Sequence, residues 1–271
     1  MSVPFRAGDP CLLHDAKGRR YLIELVPGAE FHYHRGVLAH DALIGTDDGT
    51  SLVSSLGSVL LATRPRLADY VLKMGRGATV LYPKDAGAIL VWADIAPGQV
   101  VLEAGTGSGG LAMVLARAVL PGGRVTSVER REDHAARARK LIRGFFGAVP
   151  DHLDLQIGEV EDAIESVQPD RIILDIPEPW HSVAPAADHL TPGGIFCCYL
   201  PTVPQVQTVR DAIASTGRFA EVMTFEMLMR EWAIDGRSVR PSHHMVGHTG
   251  FITVARKVGV GGRGEPVVGS R

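Results

Sequence analysis

The run Val101-Leu102-Glu103-Ala104-Gly105-Thr106-Gly107-Ser108-Gly109-Gly110 constrains this chain more than any other stretch, because an apolar strand ends in an acid and passes straight into a glycine-rich turn. Glycines at 105, 107 and 109 let the backbone turn sharply and approach a ligand with no Cβ in the way, and Leu111 to Val119 continues as a helix. A dinucleotide-binding turn reads G-x-G-x-x-G. Here the order is Glu-x-Gly-x-Gly-x-Gly, which sets a carboxylate where a diphosphate would be repelled and speaks against a nicotinamide oxidoreductase. A nucleotide-like ligand carrying a cation suits the site better. Gly105, Gly107, Ser108, Gly109, Gly110 and Leu111 are expected to cradle it, with Glu103 beside its charged end.

With 271 residues, 45% hydrophobic and 21% charged, the chain can build one α/β core and a smaller module. No apolar run reaches the roughly 18 to 20 residues needed to span a bilayer, and the first residues lack a secretory h-region, so a cytoplasmic protein is expected. Cys11 and the adjacent Cys197-Cys198 give neither a disulfide framework nor a zinc-site spacing. A formal charge of -2 leaves no global basic signature, so any nucleic-acid surface has to be local.

Residues 1 to 65 read as short strands broken by turns, a small N-terminal β domain. Residues 66 to 258 open with helical spacing at Leu67, Tyr70, Val71 and Met74 and a second helix over Lys84 to Ala96. After the glycine-rich turn, helices and strands alternate: helix 111 to 119, strand 123 to 128, helix 133 to 146, strand 153 to 158, strand 171 to 175. That alternation predicts an α/β fold with a central, mostly parallel sheet flanked by helices. A strand at 194 to 200, a helix at 204 to 216 and strands near 220 to 228 and 250 to 255 follow. Residues 259 to 271 are Gly-rich and are expected to form a disordered tail.

Strand 123 to 128 runs into Glu129, about 20 residues beyond the turn, where an acid can accept hydrogen bonds from ribose hydroxyls. The next strand leads to Glu159, placed to reach a base edge, with Glu161 and Asp162 competing for that role. The strand after it ends in Asp175-Ile176-Pro177-Glu178-Pro179-Trp180. Ligands of open α/β sheets bind outside the carboxyl ends of the strands, so Asp175 should face the same crevice as the glycine-rich turn. Two prolines stiffen the loop and Trp180 offers a flat stacking surface, a combination suited to holding a nucleobase. Glu178 reads as a solvated loop acid. The pairs His32/His34 and His40/Asp41 lack a supporting ligand pattern, and no metal site is expected.

Glu-Ala-Gly-Thr-Gly-Ser-Gly, Glu129, the Asp-x-Pro-x-Pro-Trp segment, Tyr82-Pro83-Lys84-Asp85, Arg240-Pro241 and Gly247-His248-Thr249-Gly250-Phe251 together resemble the tRNA (adenine-N1)-methyltransferases that modify T-loop position 58. Gly28-Ala29-Glu30-Phe31-His32-x-His34-x-Gly36 and His40-Asp41 resemble that family's small β domain, especially in its actinobacterial members. The likeness covers nearly the whole chain. It implies a Rossmann-like, S-adenosylmethionine-dependent enzyme that acts on folded tRNA as a homotetramer and uses no catalytic metal. It also places His248 near the target base.

On this resemblance Glu103 and neutral backbone donors hold the methionine end, Glu129 the ribose, and an ionised Asp175 accepts a hydrogen bond from the exocyclic amine of the target adenine. Asp175 is the principal catalytic candidate. The adenine must leave its stack, and Tyr82 or Trp180 is expected to cover it, Tyr82 being favoured. Arg19, Arg20, Arg35, Arg64, Arg66, Lys73 and Arg76 form a candidate phosphate surface, with Arg230, Arg237 and Arg240 as a second group. The run Arg130 to Lys140 reads as the solvated face of a helix. Two alternatives stay open: a protein (isoaspartyl) or small-molecule methyltransferase on the same scaffold, and a non-catalytic RNA-binding module.

Overall fold

The computed structural model describes residues 3–75 and 80–259. Residues 260 to 271, most of the expected tail, and Arg76 lie outside the described residues. The N-terminal part consists of strands β1 (Pro10–Asp15), β2 (Arg20–Glu24), β3 (Glu30–Tyr33), β4 (Gly36–Ala39), β5 (Thr50–Val53) and β6 (Val59–Thr63). Four of them form an antiparallel sheet in the order β2-β1-β6-β5, and β3-β4 is a separate hairpin. Alternation along β1 and β6 sends Cys11, Leu13, Leu60 and Ala62 inward, where they close with Phe5, Leu25, Leu38 and Leu43 into a small core.

Helices α1 (Leu67–Lys73) and α2 (Pro83–Trp92) lead into the larger part. Pro83 stands at the first helical position of α2, where the missing N–H costs nothing. The helix ends at Trp92, four residues short of the expected Ala96. Then come β7 (Val100–Ala104), α3 (Gly110–Ala118), β8 (Arg124–Glu129), α4 (Glu132–Phe146), β9 (Leu153–Ile157), α5 (Val160–Val167), β10 (Arg171–Leu174), α6 (Val183–His189), β11 (Ile195–Leu200), α7 (Val203–Thr216), β12 (Phe219–Glu226), β13 (Trp232–Asp235), β14 (Ser238–Pro241) and β15 (Phe251–Lys257).

Seven of these strands build one sheet in the order β12-β15-β11-β10-β7-β8-β9. The central pairs are parallel, and β15 alone runs against its neighbours β11 and β12. The mostly parallel sheet expected from the alternation is present. Both of its faces are covered, as parallel sheets require. Val101 and Ile173 point to the side packed by α1 to α4, whereas Leu102, Ile172 and Leu174 point to the side packed by α5 to α7. Helices α5 and α6 and the hairpin β13-β14 had no counterpart in the sequence pattern, since α5 and α6 are only 8 and 7 residues long. The two parts of the chain touch where Arg20 of β2 and Arg66 both bond Asp69 of α1, at 2.6 and 2.7 Å.

Candidate functional site

The chain runs from β7 outward to β8 and β9, then returns through α5 to β10 on the other side of β7. Strand order thus reverses between β7 and β10, and a crevice opens beyond their carboxyl ends. A cavity of about 660 Å³ occupies it. Gly105, Gly107, Glu129, Glu159 and Asp175 share its wall, and so does Glu161, the competitor of Glu159, whereas Asp162 does not. Gly105 and Gly107 adopt φ of 90° and 53°, in the left-handed region that favours glycine.

Glu129 braces the turn it faces. Its Oε2 accepts the Gly107 backbone N–H at 2.9 Å and its Oε1 accepts that of Arg131 at 3.1 Å. Each carboxylate oxygen has a second lone pair, so hydroxyls can still bind. Glu159 is exposed, sits at the start of α5 and pairs with Arg130 at 3.2 Å. Asp175 is half-buried, and burial pushes its carboxyl up to about 7.

Glu103 does not line the cavity. Strand alternation turns it to the side of α1 to α4, fully buried and directly across from Ser127 of β8. The Ser127 hydroxyl donates to Oε2 and also meets the Thr106 hydroxyl at 2.6 Å. Oε1 has no partner among the described residues. Burial pushes the Glu103 carboxyl up to about 8; the Ser127 bond opposes this, and the charges of Asp175 and Glu129 add to it. An orphaned carboxyl oxygen behind a glycine turn, with five more acids on the crevice wall, is chemistry matched to a cationic ligand.

Ser108, Gly109, Gly110 and Leu111 also stand off the cavity wall. Gly109 and Gly110 serve packing: a Cβ on Gly109 would come within 2.9 Å of Ile142, and one on Gly110 within 3.3 Å of Val71. The Ser108 hydroxyl is buried with no hydrogen-bond partner among the described residues. Tyr82, Trp180 and His248 lie outside the lining as well. Tyr82 is the residue before α2, half-buried. The Trp180 indole N–H faces Nε2 of His181, 3.1 Å away, and His181 does line the cavity. His248 is exposed, with Nδ1 2.9 Å from Glu226 Oε2 and Nε2 2.9 Å from the Pro201 carbonyl. Two acceptors, one per ring nitrogen, suit the imidazolium, and the Glu226 hydrogen bond raises its pKa.

Glu178, read as a solvated loop acid, is exposed but also lines the cavity, and four basic or imidazole side chains of the wall were missed by sequence reasoning. Arg130 and Arg131 line the cavity instead of belonging only to the solvated helix face, and His134 and His181 join them. The first two directly follow a strand end, which was the available signal. A second group sits behind the wall: Lys84 Nζ bonds Asp85 Oδ1, the Thr249 hydroxyl and the Met227 carbonyl at 2.7, 2.6 and 2.8 Å.

The expected phosphate surface is largely spoken for. Arg20 and Arg66 converge on Asp69, Arg64 pairs with Asp9 at 2.9 Å and Arg19 lies 3.8 Å from Asp15. Arg230, Arg237 and Arg240 are exposed and in no ion pair with a described residue. Among the described residues no cluster of three metal-ligating side chains occurs.

Residues 58–240 match the family model described as tRNA methyltransferase complex GCD14 subunit, and residues 4–52 match one described as TrmI-like N-terminal. The tRNA (adenine(58)-N(1))-methyltransferase TrmI of Thermus thermophilus is 41% identical over 250 residues, 92% of this chain and 96% of that protein. A solved structure named as a SAM-dependent O-methyltransferase from Thermotoga maritima superposes with a TM-score of 0.89 at 27% identity, covering 96% of each chain. The tRNA (m1A58) methyltransferase TrmI from Aquifex aeolicus superposes at 0.82 and 26% identity, covering 95% of this chain and 100% of that one. On the match to its sequence models and relatives, the chain belongs to the TrmI family of tRNA (adenine-N1)-methyltransferases.

Proposed function

We propose that this protein transfers a methyl group from S-adenosylmethionine to N1 of adenine 58 in the T-loop of tRNA. The observation that carries this function is the meeting of Gly105, Glu129 and Asp175 on one cavity, in a chain of this family. Bound there, S-adenosylmethionine supplies an electrophilic methyl group on a positively charged sulfur. The chain's own work is to hold, orient and screen.

Glu129 takes the ribose hydroxyls while continuing to brace the turn, and Glu159 borders the adenine edge. With the cationic donor bound, Glu103 supplies negative charge from behind the turn, relayed through the Ser127 and Thr106 hydroxyls. Adenine N1 carries a lone pair in the neutral base, so no general base is needed to make it a nucleophile. Positioning and charge stabilisation remain, and an ionised Asp175 accepting the N6–H of the target base provides the second. Tyr82 stacks on the extruded base, with Trp180 as the other candidate. Residues 1 to 65 act as a tRNA-facing β domain beside the catalytic part, 66 to 258.

A homotetramer in the cytoplasm belongs to the same proposal. Hairpin β13-β14 exposes Trp232, Ile234 and Val239, apolar area that another copy of the chain would cover. Among the described residues no helix is long and apolar enough to cross a membrane. The exposed Arg230, Arg237 and Arg240 supply phosphate contacts.

The name of the Thermotoga structure raises oxygen as the acceptor atom. A hydroxyl acceptor must lose a proton, and Asp175, at about 7, could take it. Nucleoside mass spectrometry separates the two. Transfer RNA incubated with protein and donor should gain 1-methyladenosine, and methylation confined to a hydroxyl would favour the other acceptor. Light scattering of the purified protein tests the tetramer.

A further inference from the structure

Lys84 and Asp85 form a charged pair that the proposed reaction does not use, although both side chains are withdrawn from water. Asp85 is fully buried and the Lys84 side chain is 8% exposed. All three ammonium protons have acceptors: Asp85 Oδ1, the Thr249 hydroxyl and the Met227 carbonyl. The Thr249 hydroxyl donates a hydrogen bond to Asp85 Oδ2 at 2.8 Å, and the Tyr199 hydroxyl donates to the same oxygen at 3.4 Å. Four separate pieces of chain are thereby tied at one point: the first turn of α2, the end of β11, the exit of β12 and the loop before β15.

Burying an ion pair costs desolvation that its attraction only partly offsets, so such a pair is weak evidence for stability, and what it does here is tie four segments in one arrangement. What it fixes adjoins, along the chain, two residues assigned to the acceptor. Tyr82 is two residues before Lys84, and His248 is one before Thr249. Tyr199 stands on β11, the register neighbour of β10, and feels the charge of Asp175. Its ring is clamped from the other side, since a Cβ on Gly250 would collide with it. None of the four tied groups lines the cavity assigned to the donor.

We propose that Lys84, Asp85 and Thr249 are positioning residues for the methyl acceptor, locking the α2 start, Tyr199 and the 248 to 250 loop into the wall against which the target base is held. This inference rests on the proposed tRNA methylation, and its test keeps the two apart.

Turnover of tRNA is measured per donor-binding site, the sites being counted by calorimetric titration with S-adenosylmethionine. Lys84→Met and Thr249→Val should each lower turnover at saturating tRNA by about 10-fold to 100-fold, the range expected when a reacting group is misplaced by around an ångström. Donor Kd and tRNA KM should stay within about 2-fold of wild type, since tRNA affinity comes mainly from phosphate contacts. Thr249→Ser, which keeps the hydroxyl, should restore turnover. A merely structural pair would reduce the number of donor sites and leave turnover per site unchanged. That result in Thr249→Val, or a loss of donor affinity that matches the loss of turnover, overturns the proposal. Thr249→Val and Thr249→Ser decide the matter if Lys84→Met does not fold. Wild-type protein that binds donor but forms no 1-methyladenosine refutes the proposed function instead.

Discussion

The backbone of Gly105 is pressed against the carbonyl group of Asp175: a Cβ on Gly105 would overlap that oxygen and lie 2.8 Å from its carbon. The Asp175 N–H in turn bonds the Ala104 carbonyl at 2.9 Å. The turn assigned to the donor and the loop assigned to the acceptor are thus one backbone contact, and neither can move without the other. With φ of 90°, Gly105→Ala would add a conformational cost of about 1 to 3 kcal/mol to the overlap. It should lower the melting temperature and weaken donor binding by at least about 10-fold. Differential scanning calorimetry and donor titration measure both, and an alanine variant with normal values would show that the two segments are not coupled.

Asp175 is assigned to the target base in its carboxylate form. Burial raises its carboxyl to about 7, so the acceptor form, the carboxylate, appears as pH rises through that value. Turnover over kM-limiting substrate, kcat/KM, should therefore climb with pH through about 7 and level off above it. In the complex, nearby positive charge favours the carboxylate, and the limb seen in kcat should lie at lower pH. Asp175→Asn should flatten both limbs and lower kcat by about 100-fold or more. An unaltered pH profile in that variant would remove Asp175 from the chemistry.

Glu103 should lower stability in exchange for binding. Its folded pKa of about 8 lies above the ordinary 4.5, so the unfolded chain sheds this proton first as pH rises. Stability is therefore full below about 4.5 and falls as pH climbs from there towards 8. Glu103→Gln, which can still accept the Ser127 hydrogen bond, should abolish that fall and stabilise the donor-free protein by up to about 4 kcal/mol at pH 8. The same variant should bind S-adenosylmethionine more weakly. Urea titrations at pH 5 and pH 8 give the first effect and calorimetry the second; a variant equally sensitive to pH would contradict the assignment.

Glu129 is assigned to the ribose, and a double-mutant cycle isolates that contact. A donor analogue lacking one ribose hydroxyl should bind wild type about 10-fold more weakly than the donor itself. Glu129→Ala should bind both poorly and with nearly equal affinity. Retained discrimination in the variant would assign the hydroxyls to another group.

What could be read from residues alone follows a physical division. Gly105, Glu129 and Asp175 were legible because each ends or directly follows a strand of an α/β alternation, and strand ends on one edge converge whatever the loops do. Glu103 was legible as an acid at the right place but not in its direction. The period of two along β7 sends it to the same side as Val101, away from the cavity, and its partner Ser127 becomes a neighbour only through the β7-β8 register. Arg20 and Arg66 looked like a phosphate surface until the fold brought Asp69, 49 and 3 residues distant, between them. The Lys84, Asp85, Thr249 group joins residues up to 165 positions apart, a closeness that no local pattern encodes.

The most direct measurement is position-resolved nucleoside analysis of unmodified tRNA treated with the wild-type protein and S-adenosylmethionine. The account predicts 1-methyladenosine at position 58 of the T-loop, absent when the donor is omitted and strongly reduced with Asp175→Asn. Donor-bound protein that leaves adenine 58 unmethylated, or that methylates a different atom or molecule, would contradict it.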